Sequence, residues 1–195
     1  YILRVDHDND SLSVIVNTLP ETINDNGDLT LVAHTRGKAG YFGEISFDES
    51  SVFEKMLSLD KFPDGVTHIT LFENNRAVAE RLVFVYRDSH HEVLLDNTGD
   101  GIILNFDMQR GITGSYSMAA IKDYNGNFPA TQDNILSYIM LTSDLALPAK
   151  QPAYYLSSSI EARQSADLLM MTHGWRRFDW EDILKNDLSE VPDEV

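Results

Sequence analysis

The sequence predicts a mainly β protein of sandwich type, finished by a short C-terminal helical segment. Three observations carry that prediction. Apolar and polar residues alternate over several short stretches in the first half, turn-forming residues separate those stretches at short intervals, and past residue 131 the apolar spacing lengthens to that of a helix.

Residues 1–5 already read as a strand. In Ser11-Leu-Ser-Val-Ile-Val16 the even positions Leu12, Val14 and Val16 are apolar, and in Asp28-Leu-Thr-Leu-Val-Ala33 the odd positions Leu29, Leu31 and Ala33 are. A period of two places one face of each strand against a core. Between them Asn24-Asp-Asn-Gly-Asp28 is a turn, in which Gly27 can take positive φ without steric cost. Gly37, Gly40 and Gly43 punctuate the next hairpin, and Pro63-Asp-Gly65 turns the chain into the strand Val66–Phe72. Glu73-Asn-Asn-Arg76 is then a tight hairpin loop leading into Val78–Tyr86. Many short strands at this spacing predict a sandwich over residues 1–87.

A second β region follows over residues 88–130, with Ile102–Phe106 and Gly114–Ile121 as its clearest strands and fewer strands than a whole sandwich needs. Residues 131–185 form a helical segment expected to pack on the β domains. Asp133 is placed to cap a helix through Asn134–Leu141, and Pro148 with Pro152 make a stiff connection that cannot continue it. Ser158-Ser-Ile-Glu161 fits a capping box that opens a helix carrying Ala162, Ala166, Leu169 and Met170 on one stripe, with Leu168 and Met171 beside it and Gly174 at its end. Asp179 can cap a last helical turn from Trp180 to Lys185, and residues 186–195 read as a mobile acidic tail. Tyr1 is not an initiator methionine and a strand begins at once, so the chain is expected to be an interior piece of a longer protein.

The formal charge of −16 would repel a phosphate backbone and leaves no basic stripe, so nucleic acid is not an expected partner. Cysteine is absent, which removes disulfides, thiolate metal sites and a cysteine nucleophile. No stretch approaches the roughly 18 apolar residues of a membrane span, so membrane insertion by this segment is not expected.

Motifs that would carry chemistry fall short. Asp6-His-Asp-Asn-Asp10 and Asp96-Asn-Thr-Gly-Asp-Gly101 resemble the start of a calcium loop, yet the first has Ser11 and Asn17 where glycine and glutamate belong, and the second has Thr98 and Asp107 at the third and twelfth positions. Both read as polar turns, with calcium as the minor alternative. His90 and His91 are neighbours on a strand and point to opposite faces, so they do not easily share a metal. The chain has no G-x-S-x-G elbow, no H-E-x-x-H pair and no glycine-rich phosphate loop. The expectation is a protein that is not an enzyme and carries no cofactor.

The most unusual stretch is Met171-Thr-His-Gly-Trp-Arg-Arg-Phe-Asp-Trp180, which gathers both tryptophans and an arginine pair in an otherwise acidic chain. Trp175, Phe178 and Trp180 offer large apolar faces just after a helix end, where they can fold back over a helix–sheet seam while Arg176 and Arg177 reach carboxylates or stack on a ring. The rival reading is a partner-docking hot spot, for which Trp and Arg are enriched.

Four segments in order, Pro63-Asp-Gly-Val-Thr-His-Ile-Thr-Leu-Phe72, Ala79-Glu-Arg-Leu-Val-Phe84, Asp133-Asn-Ile-Leu-Ser-Tyr-Ile-Met-Leu-Thr-Ser-Asp-Leu145 and Asp167-Leu-Leu-Met-Met-Thr-His-Gly-Trp-Arg-Arg-Phe178, resemble motifs of large Bacteroidetes-type cell-envelope proteins. In those proteins macroglobulin-like (MG2-type) β-sandwich domains precede a TonB-dependent-receptor plug-like region. The resemblance spans roughly residues 60–180. It implies immunoglobulin-like, macroglobulin-type domains in an exported protein of the periplasm or outer membrane, whose partners are other domains of the parent or an outer-membrane protein. It brings no catalytic residues, and without cysteine the thioester of protease-trapping macroglobulins is missing from this segment. Two functions follow as expectations: a non-enzymatic structural or docking module of a larger TonB-receptor-like or macroglobulin-like assembly, and, as the alternative, a calcium-, glycan- or peptide-binding β-sandwich module.

Overall fold

A computed structural model describes residues 1–8, 10–20, 28–47, 50–87, 93–97, 102–106, 132–157, 159–173 and 180. The chain divides into two compact units, one of residues 1–86 with 131–195 and one of residues 87–130. In the smaller unit β8 (Val93–Asn97) and β9 (Ile102–Phe106) pair as an antiparallel hairpin, from Val93 opposite Phe106 to Asn97 opposite Ile102. The segment 114–121, expected as a strand, lies outside the described residues.

The larger unit is mainly β, with two antiparallel sheets. The first runs β1-β2-β5, from β1 (Ile2–Asp8), β2 (Ser11–Asn17) and β5 (Val52–Ser58). The second runs β4-β3-β6-β7, from β3 (Leu29–Thr35), β4 (Lys38–Ile45), β6 (Gly65–Glu73) and β7 (Arg76–Val85). The alternation legible in the sequence is the alternation of burial: Leu12, Val14 and Val16 from one sheet meet Leu29, Leu31 and Ala33 from the other in a single core, joined by Ile69, Leu71, Val83 and Val85. Each such aliphatic side chain fully withdrawn from water contributes about 1.5–3 kcal/mol before conformational entropy is set against it.

Strand β5 escapes a periodicity reading for a physical reason. Phe53, Lys55 and Leu57 stand opposite Val16, Val14 and Leu12, so the central core-facing position of this edge strand is a lysine. Its aliphatic stem crosses to the other sheet, with Nζ 5.7 Å above the Tyr41 ring.

Two turns take the left-handed backbone expected of two-residue hairpins. Arg36 and Gly37 have φ of +49° and +79°, and Asn74 and Asn75 have +50° and +64°. Gly40 has a different role. Pairing steps from Ala33–Tyr41 to His34–Ala39, so Gly40 is the extra residue of a β-bulge, and the buried Phe62 ring lies against its bare Cα.

The four-stranded sheet is buried on both faces along its central strand β6. Every residue of β6 from Gly65 to Phe72 is buried, which a strand with one solvated face would not show. On the face away from the first sheet, Val66, Leu82 and Phe84 pack against Leu141, Ala166, Leu169 and Met170. Those residues come from a C-terminal layer of two helices, α1 (Ile135–Met140) and α2 (Ile160–His173), with 3₁₀ turns at Thr142–Asp144 and Pro152–Leu156 between them. The buried stripe of α2 is Ala162, Ala166, Leu169 and Met170, while Leu168 and Met171 face solvent.

Both helix caps sit one residue later than the sequence reading places them. Asn134, not Asp133, is the N-cap of α1: its Oδ1 accepts from Ser137 N–H at 2.9 Å, and Asn134 N–H donates to Ser137 Oγ at 2.8 Å. Asp133 instead accepts the Ser137 hydroxyl at 2.5 Å. At α2 the Ser159 hydroxyl accepts from Ala162 N–H at 3.1 Å, which moves Glu161 to the second helical position and leaves it to complement the helix dipole. In both cases neighbouring residues of equal capping ability compete, and the core-facing register of the helix chooses between them.

The bulge makes a prediction. Gly40→Ala would drive a Cβ into the Phe62 ring, which is enclosed and has nowhere to move, so it should cost about 1–3 kcal/mol in denaturant unfolding. Gly37→Ala meets nothing within 4 Å and carries only the penalty of its positive φ, so it should cost about 1 kcal/mol.

Candidate functional site

Charged and polar side chains of the larger unit gather where the C-terminal layer meets the four-stranded sheet. Arg36, raised by the β3–β4 hairpin, donates from Nε (3.1 Å) and Nη2 (2.9 Å) to Asp144 Oδ2, and its Nη2 also reaches Ser143 Oγ at 3.4 Å. Asp144 is buried at 7 % exposure and meets this guanidinium there. Gly65, at φ +135°, lets the start of β6 pass close beneath the Met140 carbonyl and the Arg36 side chain. A second pair forms at the sheet's opposite edge strand, where Arg81 Nη2 donates to Asp167 Oδ1 of α2 at 2.6 Å and Nη1 donates to the Leu82 carbonyl at 2.7 Å. The layer is also closed on itself, since Ala146 N–H donates to the His173 carbonyl at 2.9 Å.

A buried cluster lies on the outer face of the same sheet. His34 of β3 and His68 of β6 are register partners, at 5 % and 6 % exposure, and their rings stack with centroids 5.0 Å apart and planes 3° from parallel. His68 Nδ1 lies 3.2 Å from Glu80 Oε1 of β7, and Thr70 Oγ1 donates to the same oxygen at 3.2 Å. Gly37 N–H donates to His34 Nδ1 at 3.4 Å, which makes that nitrogen an acceptor in the neutral ring. Trp180 covers the cluster edge-on, with its ring centroid 5.8 Å from His34 and 5.0 Å from Phe72. Burial pushes the His34 imidazole below its ordinary pKa, the charge on His68 pushes it further the same way, and Glu80 pulls it back.

Of the residues expected to close the fold or dock a partner, Trp180 is in this cluster. Trp175, Arg176, Arg177 and Phe178 lie outside the described residues, as do His90, His91 and most of the stretch from Asp96 to Gly101. Asp6 is held by Arg4 Nε at 2.8 Å, and the Asp8 carbonyl accepts from the Ser11 hydroxyl at 2.9 Å. Among the described residues no three His, Asp or Glu side chains converge as a metal site. Sequence reasoning singled out neither His34, His68 and Glu80 nor the two arginine pairs. His34, His68 and Glu80 occupy positions that alternation assigns to the solvent side of their strands, Arg36 sits in a turn, and Arg81 shares the parity of the core residues Val83 and Val85; only strand pairing and the packing of the helices bring them to their partners.

No family model, curated protein or solved structure matches this chain.

The Arg36–Asp144 pair should behave asymmetrically. Arg36→Ala takes the guanidinium away from a buried carboxylate and should lower stability by about 2–3 kcal/mol, whereas Asp144→Asn leaves a partly exposed guanidinium free to turn into water and should cost roughly 1 kcal/mol less. Chemical denaturation of the two variants and their double variant checks this, with coupling expected between the sites.

Proposed function

We propose that this chain is a non-enzymatic structural and docking module, an immunoglobulin-like sandwich of macroglobulin type, within a larger protein of the periplasm or outer membrane. One observation carries the reading: of the groups from which a reactive centre would be built, Arg36 with Asp144 and Arg81 with Asp167 tie the C-terminal layer to the sheet, and His34, His68 and Glu80 are engaged with one another across the strands beneath Trp180. Chemistry needs such groups turned toward an open cleft. Here they serve cohesion. The three-plus-four strand order around one core supports the sandwich type, and the ordered motifs from Pro63 to Phe178 support the envelope context.

In this reading Trp180 belongs to the closure of the sheet face, and Arg176 and Arg177 are the residues of the same stretch left to meet a neighbouring domain or an outer-membrane protein. The test is site-specific photo-crosslinking from positions 176 and 177 of the intact parent protein in cells, after fractionation. The expected result is an outer-membrane or periplasmic fraction, with cross-links to one neighbour that are lost in Arg176→Ala/Arg177→Ala while the unfolding transition is kept. Recovery in the cytosol, or the same cross-links from the double variant, would contradict the reading.

A further inference from the structure

A strand at the end of a sheet offers its outer backbone groups to any second strand, and the three-stranded sheet ends in this way at β5. We propose that Lys55 guards that edge: standing at a core-side position, it keeps β5 from pairing with the β5 of a second copy, and loss of its charge turns the edge into a dimer interface. This goes beyond the module reading and does not depend on it.

The register with β2 fixes which backbone groups of β5 point outward. Thr18 N–H donates to the Ser51 carbonyl and Leu59 N–H to the Asp10 carbonyl, each at 2.9 Å, so the pairs that exchange hydrogen bonds within this ladder are Val16–Phe53, Val14–Lys55 and Leu12–Leu57. The backbone groups of Val52, Glu54, Met56 and Ser58 therefore face away from β2. Val52 N–H donates to Ser50 Oγ at 3.1 Å, while the N–H groups of Glu54, Met56 and Ser58 have no acceptor among the described residues. Lys55 apart, the strand suits pairing, with Val52 and Met56 exposed on its outer face and Phe53 and Leu57 on its core side. The neighbouring edge β4, whose Tyr41 ring lies under Lys55 Nζ, is interrupted by the bulge at Gly40, and β1 packs beside β7 at the far side. A bulge and an inward-facing charge are both ways of keeping open edges apart.

Antiparallel pairing of two β5 strands joins residues of the same face, so each register has a definite consequence. The one that engages the whole strand, with Val52 opposite Ser58, sets Lys55 opposite its own copy. Because the outward groups belong to Glu54 and Met56, that is a pair without hydrogen bonds, the closer kind, with Cα atoms about 4.5 Å apart. Two ammonium groups then meet face to face. A slip by one same-face step sets Glu54 opposite Glu54 and Lys55 opposite Phe53, and a slip the other way sets Lys55 opposite Leu57. In each register a charge meets its like or is enclosed by apolar side chains, and both are unfavourable. In the single chain Lys55 is exposed, and its ammonium reaches water and the Tyr41 ring at once.

The test compares the wild type with Lys55→Arg, which keeps the charge, and Lys55→Val, which replaces it with a neutral strand-forming side chain. Each is followed by light scattering during size exclusion over a dilution series, beside far-UV circular dichroism. The wild type and Lys55→Arg should run at the monomer mass of 22.0 kDa, and Lys55→Val should rise toward twice that with concentration while keeping its strand signal. Amide hydrogen exchange identifies the surface: the N–H groups of Glu54, Met56 and Ser58 should exchange at least about tenfold more slowly in associated Lys55→Val than in the wild type. A Lys55→Val chain that stays monomeric, or that associates without slowing those amides, would overturn the proposal. So would a wild type already paired through them, or association of Lys55→Arg equal to that of Lys55→Val. If Lys55→Val loses its strand signal, Lys55→Gln, which removes the charge and keeps most of the stem, decides: association that slows the same amides sustains the proposal, and its absence overturns it.

Discussion

A strand covered on both faces can hide a polar side chain only against another polar group, and the β4-β3-β6-β7 sheet works under that constraint along β6. Its inner face solves the problem with aliphatic residues and one buried hydroxyl pair, Thr35 and Thr67, whose Oγ1 atoms lie 2.7 Å apart. Its outer face is divided. Toward α2 it is apolar, with Val66, Leu82 and Phe84 under the helix stripe, and toward Trp180 it is polar, with His68 and Thr70 meeting at Glu80 and His34 stacked on His68. The C-terminal layer is therefore the third layer of a single structure. The buried carboxylate of Asp144 is placed at that junction because Arg36 is there to meet it.

That dependence orders the energetics. Dispersed aliphatic burial stabilises the two-sheet core and tolerates small losses at any one position. The contacts of the outer layer are fewer and individually decisive: an arginine at each of two places, one histidine pair, one indole. Removing one partner of a buried polar group, as at Arg36 and Asp144, costs more than the contact itself contributes.

The inner face was legible in the sequence because a strand with one clear apolar face announces itself: Leu12, Val14 and Val16, then Leu29, Leu31 and Ala33, need no partner to be recognised. The α2 stripe was legible for the same reason, at a different period. What could not be read is whatever depends on a neighbouring strand. His34 and His68 are 34 residues apart in number and adjacent only through the β3–β6 register, and the outward positions of those strands look like solvent positions until the helices are placed on them. Strand β5 was hidden by Lys55, an exposed charge at a core-side register position whose Nζ lies over the Tyr41 ring of the other sheet. The caps were misplaced by one residue because Asp133 with Asn134, and Ser158 with Ser159, are equivalent to any local rule, and a tertiary contact selects between them. Of the aromatic stretch, the composition marked Trp180 as a residue seeking a large apolar surface, and the structure sets it against Phe72 and His34.

The central claim is that the C-terminal helices and the four-stranded sheet form one cooperative structure. Native-state hydrogen exchange, followed amide by amide under increasing denaturant, tests it most directly. The account predicts that the amides of α2 from Arg163 onward and those of β6 merge onto a common opening free energy, within about 1 kcal/mol of each other. Opening of α2 at a free energy several kcal/mol below that of β6, with β6 protection intact, would make the helical layer a loosely attached appendage and contradict the account.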